Sequence, residues 1–66
     1  MLSYTQKFLD GSSRVLWVDV YNDGSFSVYG NPNKHGPKLS SNDPTPTPSQ
    51  RYLLADICDW LKDRTS

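Results

Sequence analysis

The chain has 66 residues, and its seven Lys+Arg balance seven acidic residues, all of them aspartate, for a formal net charge of zero. That length makes one domain near the lower limit for a self-sufficient core, and the balanced charge speaks against binding nucleic acid through bulk phosphate neutralisation. A lone cysteine, Cys58, excludes an internal disulfide, and no Cys/His cluster offers a structural zinc site. Neither usual staple of a small domain is present, so a partner is expected to supply part of the stability. With no signal-peptide pattern and no apolar run long enough to span a bilayer, the expected setting is the cytoplasm, away from membranes.

The first segment, Leu2–Leu9, fits two elements. Ser3-Tyr4-Thr5-Gln6 matches a capping box opening a short helix that ends at Gly11. The alternation of Leu2, Tyr4, Gln6 and Phe8 matches a strand over about 3–9, with Asp10-Gly11-Ser12-Ser13 as its turn. The strand is preferred, because it can pair with the next run of the chain.

Two runs rich in β-branched and aromatic residues, about 14–21 and 25–30, flank Asn22-Asp23-Gly24 and make the strongest hairpin signal in the chain. A two-residue loop at Asp23-Gly24 would put Phe26 and Val28 on the side of Trp17 and leave two mixed faces. A three-residue loop with Gly24 left-handed in a bulge instead sets Val20 against Phe26, Val18 against Val28 and Trp17 against Tyr29. One face then holds Leu16, Val18, Val20, Phe26 and Val28, all apolar. The other holds Trp17, Asp19, Tyr21, Ser25, Ser27 and Tyr29, so the bulged turn is expected. With the first segment added as a strand, Phe8 is expected opposite Leu16, Tyr4 opposite Val20, and Lys7 beside Trp17 in cation–π contact.

Asn31–Pro46 carries four prolines, one glycine and almost nothing to bury, so it reads as a long loop. Loops of that length in small domains tend to be functional or disordered. Lys34, His35 and Lys38 form its only basic cluster, either a solvated surface or a flap against an acidic partner or a phosphate.

The last element, about 48–64, is a helix whose start is explicit: Thr47 at the N-cap, Pro48 at the first position and Gln50 at the third. Leu53, Leu54, Ile57, Cys58, Trp60 and Leu61 share a broad apolar stripe that suits the apolar sheet face. Trp60 reads as core, and Cys58 as an inert thiol at the stripe's margin. Tyr52, Asp56, Asp59 and Asp63 are spaced four, three and four apart and form one exposed ridge.

No phosphate-binding loop, dinucleotide fingerprint, zinc-helix motif or nucleophile elbow occurs, and no cofactor or metal is expected. The only carboxylates are aspartates, several on a solvated helix face, and so small a domain has no room for a deep pocket, so enzymatic activity is not expected. Binding remains. Trp17, Tyr21 and Tyr29, rimmed by Asp19, Ser25 and Ser27, have the anatomy of a protein-contact patch, or of a second small core if a segment such as the proline-rich loop folds over them, with the Tyr52/Asp56/Asp59/Asp63 ridge as a second surface. Trp17 and Tyr29 would also serve a single-stranded nucleic-acid binder by base stacking, though few cations flank them. The free sheet edges allow a homodimer.

A β-meander plus one helix with an acidic ridge resembles, in size and layout, the small phage-encoded anti-defence proteins of the anti-CRISPR type. The resemblance covers architecture only and carries no residue over, and zero net charge separates the chain from the acidic nucleic-acid mimics among them. It implies a non-enzymatic inhibitor or adaptor that docks on a larger protein or protein–nucleic-acid complex. The expected fold is α+β, an antiparallel meander of two or three strands with one C-terminal helix packed on one face.

Overall fold

In the computed structural model, which describes residues 1–65, two Asp-Gly-Ser segments reverse the chain by the same chemistry. Asp10 Oδ1 accepts the backbone N–H of Ser12 at 2.9 Å and its hydroxyl at 2.6 Å. Asp23 Oδ1 accepts the same two donors from Ser25, at 2.9 and 2.5 Å. Gly11 and Gly24 sit at φ +90° and +89°, where a side chain is strained. Phe8 donates its N–H to the Ser12 carbonyl (2.9 Å), and Tyr21 donates to that of Ser25 (2.8 Å), so each loop has three residues.

These turns and the strands between them give one antiparallel sheet in the order β1 (Leu2–Lys7), β2 (Ser13–Val20), β3 (Phe26–Tyr29) and β4 (Lys38–Ser40). The expected pairing of β2 with β3 is observed: Val20 faces Phe26, Val18 faces Val28 and Trp17 faces Tyr29. The first segment is a strand, but its register differs from expectation. Tyr4 faces Leu16 rather than Val20, Leu2 faces Val18, and Phe8 lies in the turn opposite Ser12 instead of against Leu16. The cause is Gly11, which makes the same tight loop as Gly24. The slip is four residues, an even number, so every side chain stays on its expected face. Lys7 therefore meets Ser13, not Trp17, and the cation–π contact at this end is Arg14 over Phe8, at 5.6 Å.

The meander also has a fourth strand. Leu39 is the one large apolar residue between Pro37 and Pro44, and it pairs with Val28 on the apolar face. That single contact, with Ser41 exchanging bonds with Phe26, pins three residues of the expected loop to the sheet.

Helix α1 (Pro48–Thr65) starts as its cap requires: the Gln50 N–H donates to Thr47 Oγ1 (3.2 Å), and the Thr47 N–H donates to Gln50 Oε1 (2.8 Å). Its stripe covers the apolar face. Ile57 and Val18 are wholly buried, and Leu16, Phe26, Val28 and Leu53 complete the core. Trp60 sits at the margin, edge-on to Tyr4 with ring centroids 5.1 Å apart. Val20 is the exception on its face, 46% exposed. The last turn of α1 offers Lys62 and Arg64 rather than apolar side chains, leaving an open pocket of about 450 Å³ that Leu2, Val20 and Phe26 help to line.

Because nothing lies within 4 Å of a Cβ built at Gly11 or Gly24, alanine there meets only the backbone penalty. Gly11→Ala and Gly24→Ala are each expected to lower stability in urea unfolding by about 1–2 kcal/mol, the left-handed cost of an L residue. Ile57→Ala, which empties the centre of the core, is expected to lower it by about 2–5 kcal/mol.

Candidate functional site

The sheet face away from α1 is where the sequence places its aromatic contact residues. Val15, Trp17 and Asp19 of β2 point to it, with Ser3 opposite Trp17 and Thr5 opposite Val15. Across β3 it continues through Ser27 and Tyr29 to Ser40 and Lys38.

This face is less open than expected. Tyr29 is only 8% exposed, flanked by Trp17 on β2 and Lys38 on β4, so it does not belong to an accessible patch. The segment after β3 turns back toward β2. Asn31 grips the His35 peptide group, its Nδ2 donating to the carbonyl at 2.8 Å and its Oδ1 accepting the N–H at 3.0 Å. Lys34, inside that grip, takes a left-handed φ of +60° and reaches Asp19 Oδ2 at 2.7 Å. The acid that Lys34 meets is thus the chain's own. His35 and Lys38 remain exposed, and Lys38 belongs to β4 rather than to the loop.

Electrostatics follow from these contacts. The hydrogen bond from Lys34 holds the Asp19 carboxyl below the usual carboxylate range and raises the Lys34 ammonium in return. The Tyr21 hydroxyl bonds the buried Ser27 hydroxyl at 2.9 Å, and this bond, with a second to Tyr29, keeps the Tyr21 phenol below its ordinary value. Ser27 is therefore a satisfied buried group. Of the apolar and aromatic side chains on this face, Val15, half-buried Trp17 and, beyond the Asp19–Lys34 pair, Tyr21 stay accessible.

Val15 is also exposed on this face and shares the parity of Trp17 on one strand, a signal visible without coordinates. Ser25 lies opposite Tyr21, and its hydroxyl donates to Asp23.

The second expected surface is present on α1. Tyr52, Asp56, Asp59 and Asp63 are all exposed, Tyr52 at 76%. The ridge borders β1: Trp60 packs on Tyr4, and burial, then the charge of Asp56, push the Tyr4 phenol up.

Among the described residues, no group of three or more His, Cys, Asp or Glu is arranged to hold a metal ion, and no helix is long and apolar enough to cross a membrane. No family model, curated protein or solved structure matches the chain.

The acid response of the fold follows from three aspartates. Asp10 and Asp23 are lowered by the hydrogen bonds of Ser12 and Ser25, and Asp19 by that of Lys34. A carboxyl lowered in the folded state contributes stability above its unfolded value, about 3.9, and loses it as pH falls through the folded value. Urea midpoints are therefore expected to drop as pH is taken below about 4, and the Asp10→Asn, Asp19→Asn, Asp23→Asn triple variant is expected to flatten that drop.

Proposed function

We propose that the chain is a non-enzymatic protein-binding module, an inhibitor or adaptor that docks on a larger protein. The observation that carries this reading is the strip of Val15 and Trp17, left accessible on a sheet face that is otherwise polar or closed. An apolar centre rimmed by Ser3, Thr5 and Asp19 is built as protein contacts are, with tryptophan the usual anchor. The Asp56/Asp59 side of α1 adds a charged surface that would steer a basic partner.

A second reading, single-stranded nucleic-acid binding, is favoured by Lys7 and Lys38, which share the face of Trp17. It is weakened by the burial of Tyr29, which removes the stacking pair, and by Asp19, which neutralises Lys34.

Capture from a nuclease-treated bacterial lysate separates the two. Trp17→Ala is expected to lose the captured protein while unfolding close to wild type. Leu16→Ala is expected to lose about 2–5 kcal/mol of stability. Asp56→Lys with Asp59→Lys is expected to weaken capture without unfolding the chain. Tight binding to single-stranded oligonucleotides that falls steeply with salt would replace this reading with the second.

A further inference from the structure

Strand β1 is an open edge. Phe8 directs its N–H at Ser12, so by the alternation of an antiparallel ladder Leu2, Tyr4 and Gln6 bond inward to β2. Ser3, Thr5 and Lys7 then present their N–H and C=O groups outward, and no strand lies beside them among the described residues. The other edge is blunted: β4 has three residues, with Pro37 just before it and Lys38 at its start. Of such devices β1 has only Lys7.

The two faces beside this edge differ in character. On the helix side lies Asp56, whose charge acts on Tyr4 of β1 and which makes no ion pair among the described residues. On the other side, one strand in, lie Val15 and Trp17.

The geometry points to the addition of a fifth strand at β1 by an extended segment of a partner protein in which basic and apolar residues alternate. The inference rests on the protein-binding reading and names the partner's chemistry. A strand paired with β1 sends alternate side chains to opposite faces. Lys or Arg on one set meets Asp56, while apolar residues on the other extend the Val15/Trp17 strip. A second copy of the chain fits poorly. A two-fold axis through paired β1 strands sets both helices on one side of the joined sheet, with their acidic ridges facing across the seam.

The test uses a synthetic peptide alternating Lys/Arg with Val, and an isomer of the same composition with the basic residues in one block. Amide exchange at Ser3, Thr5 and Lys7 is followed by NMR. The alternating peptide is expected to slow exchange at all three and to bind about tenfold tighter than the isomer. Thr5→Pro removes an outward donor that β2 does not use, and is expected to abolish the protection; Ser3→Pro serves if that variant fails to fold. Asp56→Asn with Asp59→Asn is expected to weaken binding about tenfold and flatten its salt dependence.

Equal binding of the isomer, or full binding by a folded proline variant, overturns the proposal. So does protection of the three amides that rises with protein concentration in the absence of peptide, which assigns the edge to a second copy. A captured protein that requires Trp17 while these amides exchange freely overturns the added strand alone and leaves the protein-binding reading standing.

Discussion

The fold depends on two aspartate carboxylates, each closing a turn around a left-handed glycine. Asp10 and Asp23 each accept two hydrogen bonds from the serine two residues on, which holds the loop at three residues. Loop length sets register, and register sets faces: one residue more or less at Gly24 would send Val18 and Phe26 to opposite sides of the sheet. With the turns fixed, Leu16, Val18, Phe26 and Val28 share a side, and the stripe of α1 has one surface to cover. The exposed turns thus decide what the core contains.

The two sides of the sheet are closed by different physics. On one, α1 buries aliphatic area, and the gain grows with the area covered. On the other, Asn31 holds the backbone of His35 through two hydrogen bonds, and Lys34 between them reaches Asp19 from a φ of +60°. An ion pair this exposed stabilises little and a left-handed non-glycine residue is strained, so the hydrogen bonds of Asn31 hold this segment. On the same face Trp17 stays half-buried while Tyr29 is sealed.

Most of this architecture was legible in the sequence because it is written in local chemistry. The Asn22-Asp23-Gly24 bulge, the Thr47/Gln50 cap and the apolar stripe each need only neighbouring residues. The β1–β2 register was misread although Asp10-Gly11-Ser12 repeats Asp23-Gly24-Ser25; applying one rule to both turns places Tyr4 opposite Leu16. Strand β4 was hidden for another reason. Three residues give no periodicity, and Leu39 shows its role only once Val28 is beside it. Lys34 crosses to Asp19, fifteen residues away, and no local pattern encodes that. Composition did show that carboxylates were plentiful and cations scattered, but not which acid each cation would meet.

A net charge of zero conceals a separation that the fold creates. Asp63 lies in the last turn of α1, where the helix dipole disfavours negative charge, and Asp59 is one turn before it. Lys62 and Arg64 in the last turn offset the dipole, and Arg64 stacks over Trp60 at 5.1 Å. Asp56 nonetheless stands close enough to β1 for its charge to act on Tyr4. An open edge is a hazard because any strand can pair with it, including that of another copy. A negative charge beside the edge discriminates between candidates: it repels the same edge of a second molecule and attracts a basic one. In the proposed complex the acidic ridge therefore raises affinity for the partner and opposes self-pairing through the same Coulomb interaction. That dual effect gives a physical reason for keeping carboxylates where helix stability alone would place cations.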